Sequence, residues 1–308
     1  MQSPSSSVRR AQPLLGTFVE VSARGASARV ADAIDRAFGL IGRIHALMSF
    51  HEPGSDVTRL NRCAHKQPVG VDPHTFAVLA EAERIARASE GAFDITTAPQ
   101  LVRFGFLPAG EDPPPRARPR GFEAIELLPH GRVRFAAPTW IDLGGIAKGY
   151  AVDVACDLLE QAGITDYLVN AGGDLRVGAA REVVHVRHPG RPQFALPLGE
   201  FADAALATSA AYFAGRRGAT GDRHPIIAPG HGQPARYRGS ISVCAHACVV
   251  ADALTKVVAV LGQAAAPVLS RFDAEAWLLS TAGSWQRLPR PAARGGAAPG
   301  ARALAPAR

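Results

Sequence analysis

The run IDLGGIAKGYAVD, Ile141–Asp153, gathers residue types suited to holding phosphate. Gly144 and Gly145 let backbone approach a ligand with no Cβ in the way. Lys148 follows in the first turn of an expected helix, where a cation opposes the helix dipole. A pyrophosphate opposite it, bound jointly by the ammonium and free backbone N–H groups, would relieve that conflict. Otherwise Lys148 simply faces water. In Asn170-Ala171-Gly172-Gly173-Asp174 two glycines end an expected strand, as in a dinucleotide fold, but no helix follows them. A backbone bend beside a ligand is the better reading. In ADALTKVVAVLG, Ala251–Gly262, the residues Leu254, Val257, Val258 and Leu261 make one apolar helix face. Asp252 opens that helix and shares the opposite face with Thr255 and Lys256. The group is either a cap with an i,i+4 ion pair or a carboxylate aimed at a divalent metal or phosphate. Gly91-Ala92-Phe93-Asp94 and Met48-Ser49-Phe50-His51 are smaller polar and aromatic clusters. Cys244-Ala245-His246-Ala247-Cys248 lacks a second ligand pair, so its cysteines read as small buried residues rather than a zinc site.

The elements that must position these groups follow from periodicity. Apolar spacing predicts helices over 28–48, 75–89, 147–162 and 252–261. Short strands are expected at Leu15–Val21, after a stop at Pro13, and at 167–170, 183–186 and 241–244. IELLP and RVRF flank His130-Gly131 as a hairpin. Residues 107–121 form a Pro-rich surface loop, because consecutive prolines remove backbone donors. Helices and strands mix without a regular βαβ beat, which favours an α+β fold.

Composition narrows the function classes. The chain has 308 residues, 47% hydrophobic and 20% charged, ordinary globular usage. Its net charge of +7 comes from the ends: Arg9 and Arg10 in residues 1–10, and five arginines without an acid in Gln286–Arg308. The remainder is formally neutral, so a basic nucleic-acid groove is not expected. The first 12 residues are expected to be flexible and 286–308 a disordered basic tail. No apolar run is read as a membrane span, and no apolar stretch follows Arg9 and Arg10 as in an export signal, so a cytoplasmic location is expected. Four cysteines in this length make no disulfide framework.

In collinear order, PLLGTFVEV, MSFHEPGSDVTRLNR, GAFDITTAPQLVRFGF, IDLGGIAKGYAVD, YLVNAGGDLRVG, ALATSAAYF, SISV and ADALTKVVAVLG resemble the FAD:protein FMN transferase (ApbE) family, across about 250 residues from Pro13 to Gly262. The resemblance implies one α+β unit of two similar subdomains, here residues 13–285. It implies cleavage of the FAD pyrophosphate with magnesium, transfer of FMN to a threonine or serine hydroxyl of an acceptor protein, and release of AMP. Position by position, it implies that Ala92, Phe93 and Asp94 contact flavin, as does His51 in the stacking position, and that Ile227 takes a cofactor-binding position. Asp142 and Lys148 take FAD-binding positions. The Gly145 carbonyl and the Asp252 carboxylate take metal-ligand positions. The family's metal-binding threonine is Lys256 here, leaving Thr255 as the nearby hydroxyl. His224, or else His231, takes the place of the base. Leu15, Ala210 and Ala228 are further departures from the family pattern. Two other readings remain: an FAD-binding protein without catalysis, and an FAD pyrophosphatase in which water replaces the acceptor. No D-x-x-T-G-A-T-like segment is present, so self-modification is not expected.

Overall fold

The computed structural model describes residues 6–109, 114–115, 121–210, 216–218 and 221–288. Its centre is an eight-stranded sheet of β1 (Ser6–Leu14), β2 (Thr17–Gly25), β3 (Tyr167–Ala171), β4 (Asp174–Val177), β5 (Ala204–Ala210), β6 (Ser240–Ala245), β7 (Glu275–Leu279) and β8 (Trp285–Leu288). The strands lie side by side in chain order, each antiparallel to its neighbours. Seven helices join them among the described residues: α1 (Ser27–Met48), α2 (Asp56–Cys63), α3 (Pro73–Ala88), α4 (Ala98–Arg103), α5 (Ala147–Gln161), α6 (Cys248–Leu261) and α7 (Ala266–Arg271). The α+β expectation holds.

One sheet face is covered by α1, α5 and α6. Buried positions Val30, Ile34, Ala37, Ile41 and Ile44 of α1 recur every three or four residues and enter the principal core with Val19, Val21 and Val169 of the sheet. A hairpin of Glu182–His188 and Arg191–Phe201 covers the other face, where Phe201 meets Trp277 edge-on. A small sheet of Val69–Gly70, Arg132–Phe135 and Ile125–Leu128 sits beside α2 and α3. Its hairpin turns at His130-Gly131 as the sequence predicts, with φ of 61° and 65°.

Three expectations need correction. The first strand is not Leu15–Val21, and residues 6–12 are not a flexible lead. They pair with β2 along a nine-residue strand that turns at Leu15-Gly16. Pro13 does not stop this strand, because β1 is the sheet edge and needs no donor on its open side. The basic tail cannot begin at Gln286, because Gln286, Arg287 and Leu288 pair with β7 and Leu288 is buried. Residues 289–308, like 110–113 and 116–120 of the Pro-rich loop, lie outside the described residues. Finally, α6 begins at Cys248 rather than Asp252, and nearly all of it is buried. The stretch Cys248–Arg271, with an 18-residue window of mean hydropathy 1.6, is long and apolar enough to cross a membrane. Here it is a core element, with 67% of its apolar window buried.

Candidate functional site

Two helix N-termini meet under the sheet, and each is capped by the other helix. Neither Ile146 before α5 nor Ala247 before α6 supplies a side-chain cap. Instead Asp153 of α5 accepts from Cys248 N at 2.9 Å and Val249 N at 2.8 Å. In return, Asp252 of α6 accepts from Gly149 N at 3.2 Å through Oδ2. A carboxylate facing free N–H groups at a helix start is favourable both as acceptor and as charge. The crossing needs glycine at 149: a Cβ there would lie 2.3 Å from the Cys248 carbonyl oxygen. Burial pushes the Asp153 carboxyl up to about 6, against the pull of the Val249 and Cys248 N–H groups and Arg176.

A charge cluster stands on this crossing. Lys148 does not face water. Its Nζ donates to Asp174 Oδ2 and lies 3.4 Å from Asp252 Oδ2. Lys256 Nζ donates to Asp252 Oδ1 and, at 3.0 Å, to the Asp252 carbonyl. Asp252 is fully buried and Asp174 nearly so. Burial alone would discharge Lys148, but Asp174 and Asp252 outweigh it and hold its pKa above the ordinary lysine value. Burial likewise opposes charge on Asp252, and the two lysines reverse this, holding it below the ordinary carboxylate value. Asp174 shifts upward, because its burial and the nearby Asp252 outweigh Lys148. Asp142 also shifts upward through burial, against the Gly144 N–H.

Both lysines line a cavity of about 960 Å³, together with Asp142, Gly145, Ala92–Asp94, His224 and Ile227. Of the residues expected in the site, these share one space. Phe93 is buried, and Asp94 orders the following turn by accepting from Thr96 N at 2.8 Å and Thr96 Oγ1 at 2.7 Å. His224 is buried, with its ring 6.3 Å from that of Tyr237, whose hydroxyl donates to the Ser209 carbonyl. His231 is exposed and lines a different surface recess. His51 is also exposed and lines a separate cavity of about 540 Å³, beside Phe50 and Trp140. The structure therefore does not place His51 on the main cavity wall.

The expected metal ligands converge but do not fit a divalent ion. Both Asp252 oxygens already accept from lysine ammonium groups, and Oδ2 also accepts from Gly149 N. The Thr255 hydroxyl is buried, bonded to the Asp252 carbonyl at 2.7 Å and to Ser209 Oγ at 2.7 Å. Lys256 Cε lies 3.4 Å from where a Cβ on Gly145 would sit. The Lys256 side chain thus runs past Gly145 and sets its ammonium on Asp252, whereas magnesium needs open oxygen ligands and room for water.

Residues 15–278 match the ApbE family. The chain belongs to the ApbE family. It is 29% identical over 283 residues to the FAD:protein FMN transferase of Vibrio cholerae, covering 85% of this chain and 84% of that protein. It is 30% identical over 285 residues to the FAD:protein FMN transferase of Treponema pallidum, covering 82% and 78%. Among solved structures, the flavin transferase ApbE from Vibrio cholerae superposes with TM-score 0.77 at 25% identity, covering 92% of this chain and 97% of that one. The ApbE protein of Thermotoga maritima gives 0.78 at 26%, with the same coverage.

Within this ApbE member, sequence reasoning missed Asp174 as a site residue. The available signal was a carboxylate directly after two glycines, both of which adopt positive φ (68° and 104°) and bring the chain under the cavity. It also missed Asp153, whose partners lie about a hundred residues away. The four cysteines are free, and among the described residues no group of three or more His, Cys, Asp or Glu could hold a metal. Cys248 is buried and donates to the Leu206 carbonyl at 3.5 Å.

Proposed function

We propose that this chain is an FAD:protein FMN transferase, moving FMN from FAD to a threonine or serine hydroxyl of an acceptor protein with release of AMP. The observation that carries the reading is the single cavity shared by Ala92–Asp94, the Lys148–Lys256 pair and His224. Its volume, about 960 Å³, lies at the upper end of small-molecule sites, as a dinucleotide requires. The names of the relatives over most of the chain point the same way.

In this reading Phe93 offers an apolar wall to the flavin and Asp94 a polar edge. The lysine ammonium groups face the diphosphate and offset its charge, which grows on the bridging oxygen as AMP leaves. His224 takes the proton from the acceptor hydroxyl. That oxygen forms a bond to the FMN phosphorus while the bond to the AMP oxygen breaks, so one phosphoester replaces one phosphoanhydride. The test is incubation with FAD and an acceptor protein. Covalent flavin fluorescence on the acceptor with an equal amount of AMP is expected. His224→Ala should lower the rate by about 10²–10⁴ while leaving FAD bound. Free FMN with AMP would indicate hydrolysis instead, and unchanged bound FAD a binding protein.

A further inference from the structure

We infer that the Lys256 ammonium takes the place of a divalent cation, so that this chain holds the diphosphate of FAD without metal. The inference rests on the transferase reading for the identity of the ligand. Its basis is where Lys256 sits. The three groups that would gather a metal ion are the Gly145 carbonyl, the Asp252 carboxylate and a hydroxyl on α6. The Lys256 side chain passes beside Gly145, and its ammonium bonds both the carboxylate and the carbonyl of Asp252. The one hydroxyl nearby, that of Thr255, is turned to the Asp252 carbonyl and Ser209.

Charge and hydrogen bonding support the substitution. Two ammonium groups face two buried carboxylates, Asp174 and Asp252, so this quartet is balanced before any ligand arrives. A divalent ion entering it would meet two fixed cations within a few ångströms and carboxylate oxygens already in use. A diphosphate meets the opposite situation. Each ammonium has three N–H donors and two acceptors in the structure, which leaves one N–H on each for a phosphate oxygen in the cavity that both line. Because each ammonium is fixed by buried carboxylates, little ordering remains to be done when the ligand binds.

Three measurements on the full chain test this. Manganese(II) titrated into protein without FAD, followed by its paramagnetic resonance signal, should remain free up to about millimolar concentration. Saturable binding at about ten micromolar would overturn the inference, and this arm does not depend on FAD at all. FAD binding, followed by flavin fluorescence, should agree within about twofold in excess EDTA and in excess Mg²⁺. A loss of tenfold or more in EDTA would also overturn it. Lys256→Thr should weaken FAD binding in EDTA by about tenfold or more, as expected for one charge-assisted hydrogen bond, and should bind manganese. An unchanged FAD affinity in EDTA would count against the inference, and if the variant does not fold, the first two measurements decide. FAD bound under neither condition would refute the transferase reading, and the manganese result would still decide the role of Lys256.

Discussion

Replacing Asp153 by asparagine should change how stability depends on pH, and the direction follows from burial. The side chain is buried between Cys248 N, Val249 N and Arg176, and its carboxyl titrates near 6 in place of the ordinary 3.8. A group whose pKa is raised on folding favours the folded state in its protonated form. That contribution is complete below about 3.8 and is lost as pH rises through about 6. The gap between the two values corresponds to about 3 kcal/mol, of which about 2 kcal/mol falls between about pH 4.5 and 7.5. Asparagine does not titrate, so the difference in unfolding free energy between the natural chain and Asp153→Asn isolates this one carboxyl from the other acids. Urea unfolding at several pH values should show the natural chain losing about 2 kcal/mol relative to the variant across that range. A difference that stays flat, or that grows in favour of the natural chain as pH rises, would refute the reasoning. It would mean that the N–H groups and Arg176 outweigh burial.

Lys148→Met should destabilise the fold by about 3 kcal/mol in the same assay, since it leaves Asp174 buried without its cation, and should weaken FAD binding as well. A variant of unchanged stability would show that Asp174 is held neutral. Gly149→Ala should cost at least about 3 kcal/mol, because the new methyl meets the Cys248 backbone rather than a side chain that can move. A thermal unfolding midpoint equal to that of the natural chain would mean that α5 and α6 can separate freely.

The parts of this structure legible in the sequence are those with local causes. The apolar spacing of α1 and α3 and the His130-Gly131 turn are written in neighbouring residues, and each appears within a few residues of its expected place. β1 was not legible, because SSVRRAQPL has no polar–apolar alternation and is drawn into the sheet by pairing with β2. The start of α6 was hidden for a similar reason: its cap is a residue of another helix. In the site, glycine and lysine spacing singled out a segment whose Gly144, Gly145 and Lys148 line the main cavity. The fate of Lys148 was open, since the sequence places neither Asp174 nor Asp252 beside it. His51 shares a motif with site residues, yet the chain turns it into a neighbouring cavity.

The crossed carboxylates of Asp153 and Asp252 also order events in time. Their bonds close loops of 95 and 103 residues, so neither helix start is satisfied while the chain is still local in its contacts. Long loops close late in folding because their entropy is lost before their contacts form. Within the lysine quartet, the Lys148–Asp252 contact depends on that long-range crossing, whereas the Lys256–Asp252 bond lies within one helix. A nascent or partly unfolded chain has the cavity-lining residues without their arrangement, and under the proposed function FAD would be withheld from it. Ligand capture then becomes a report that folding is complete.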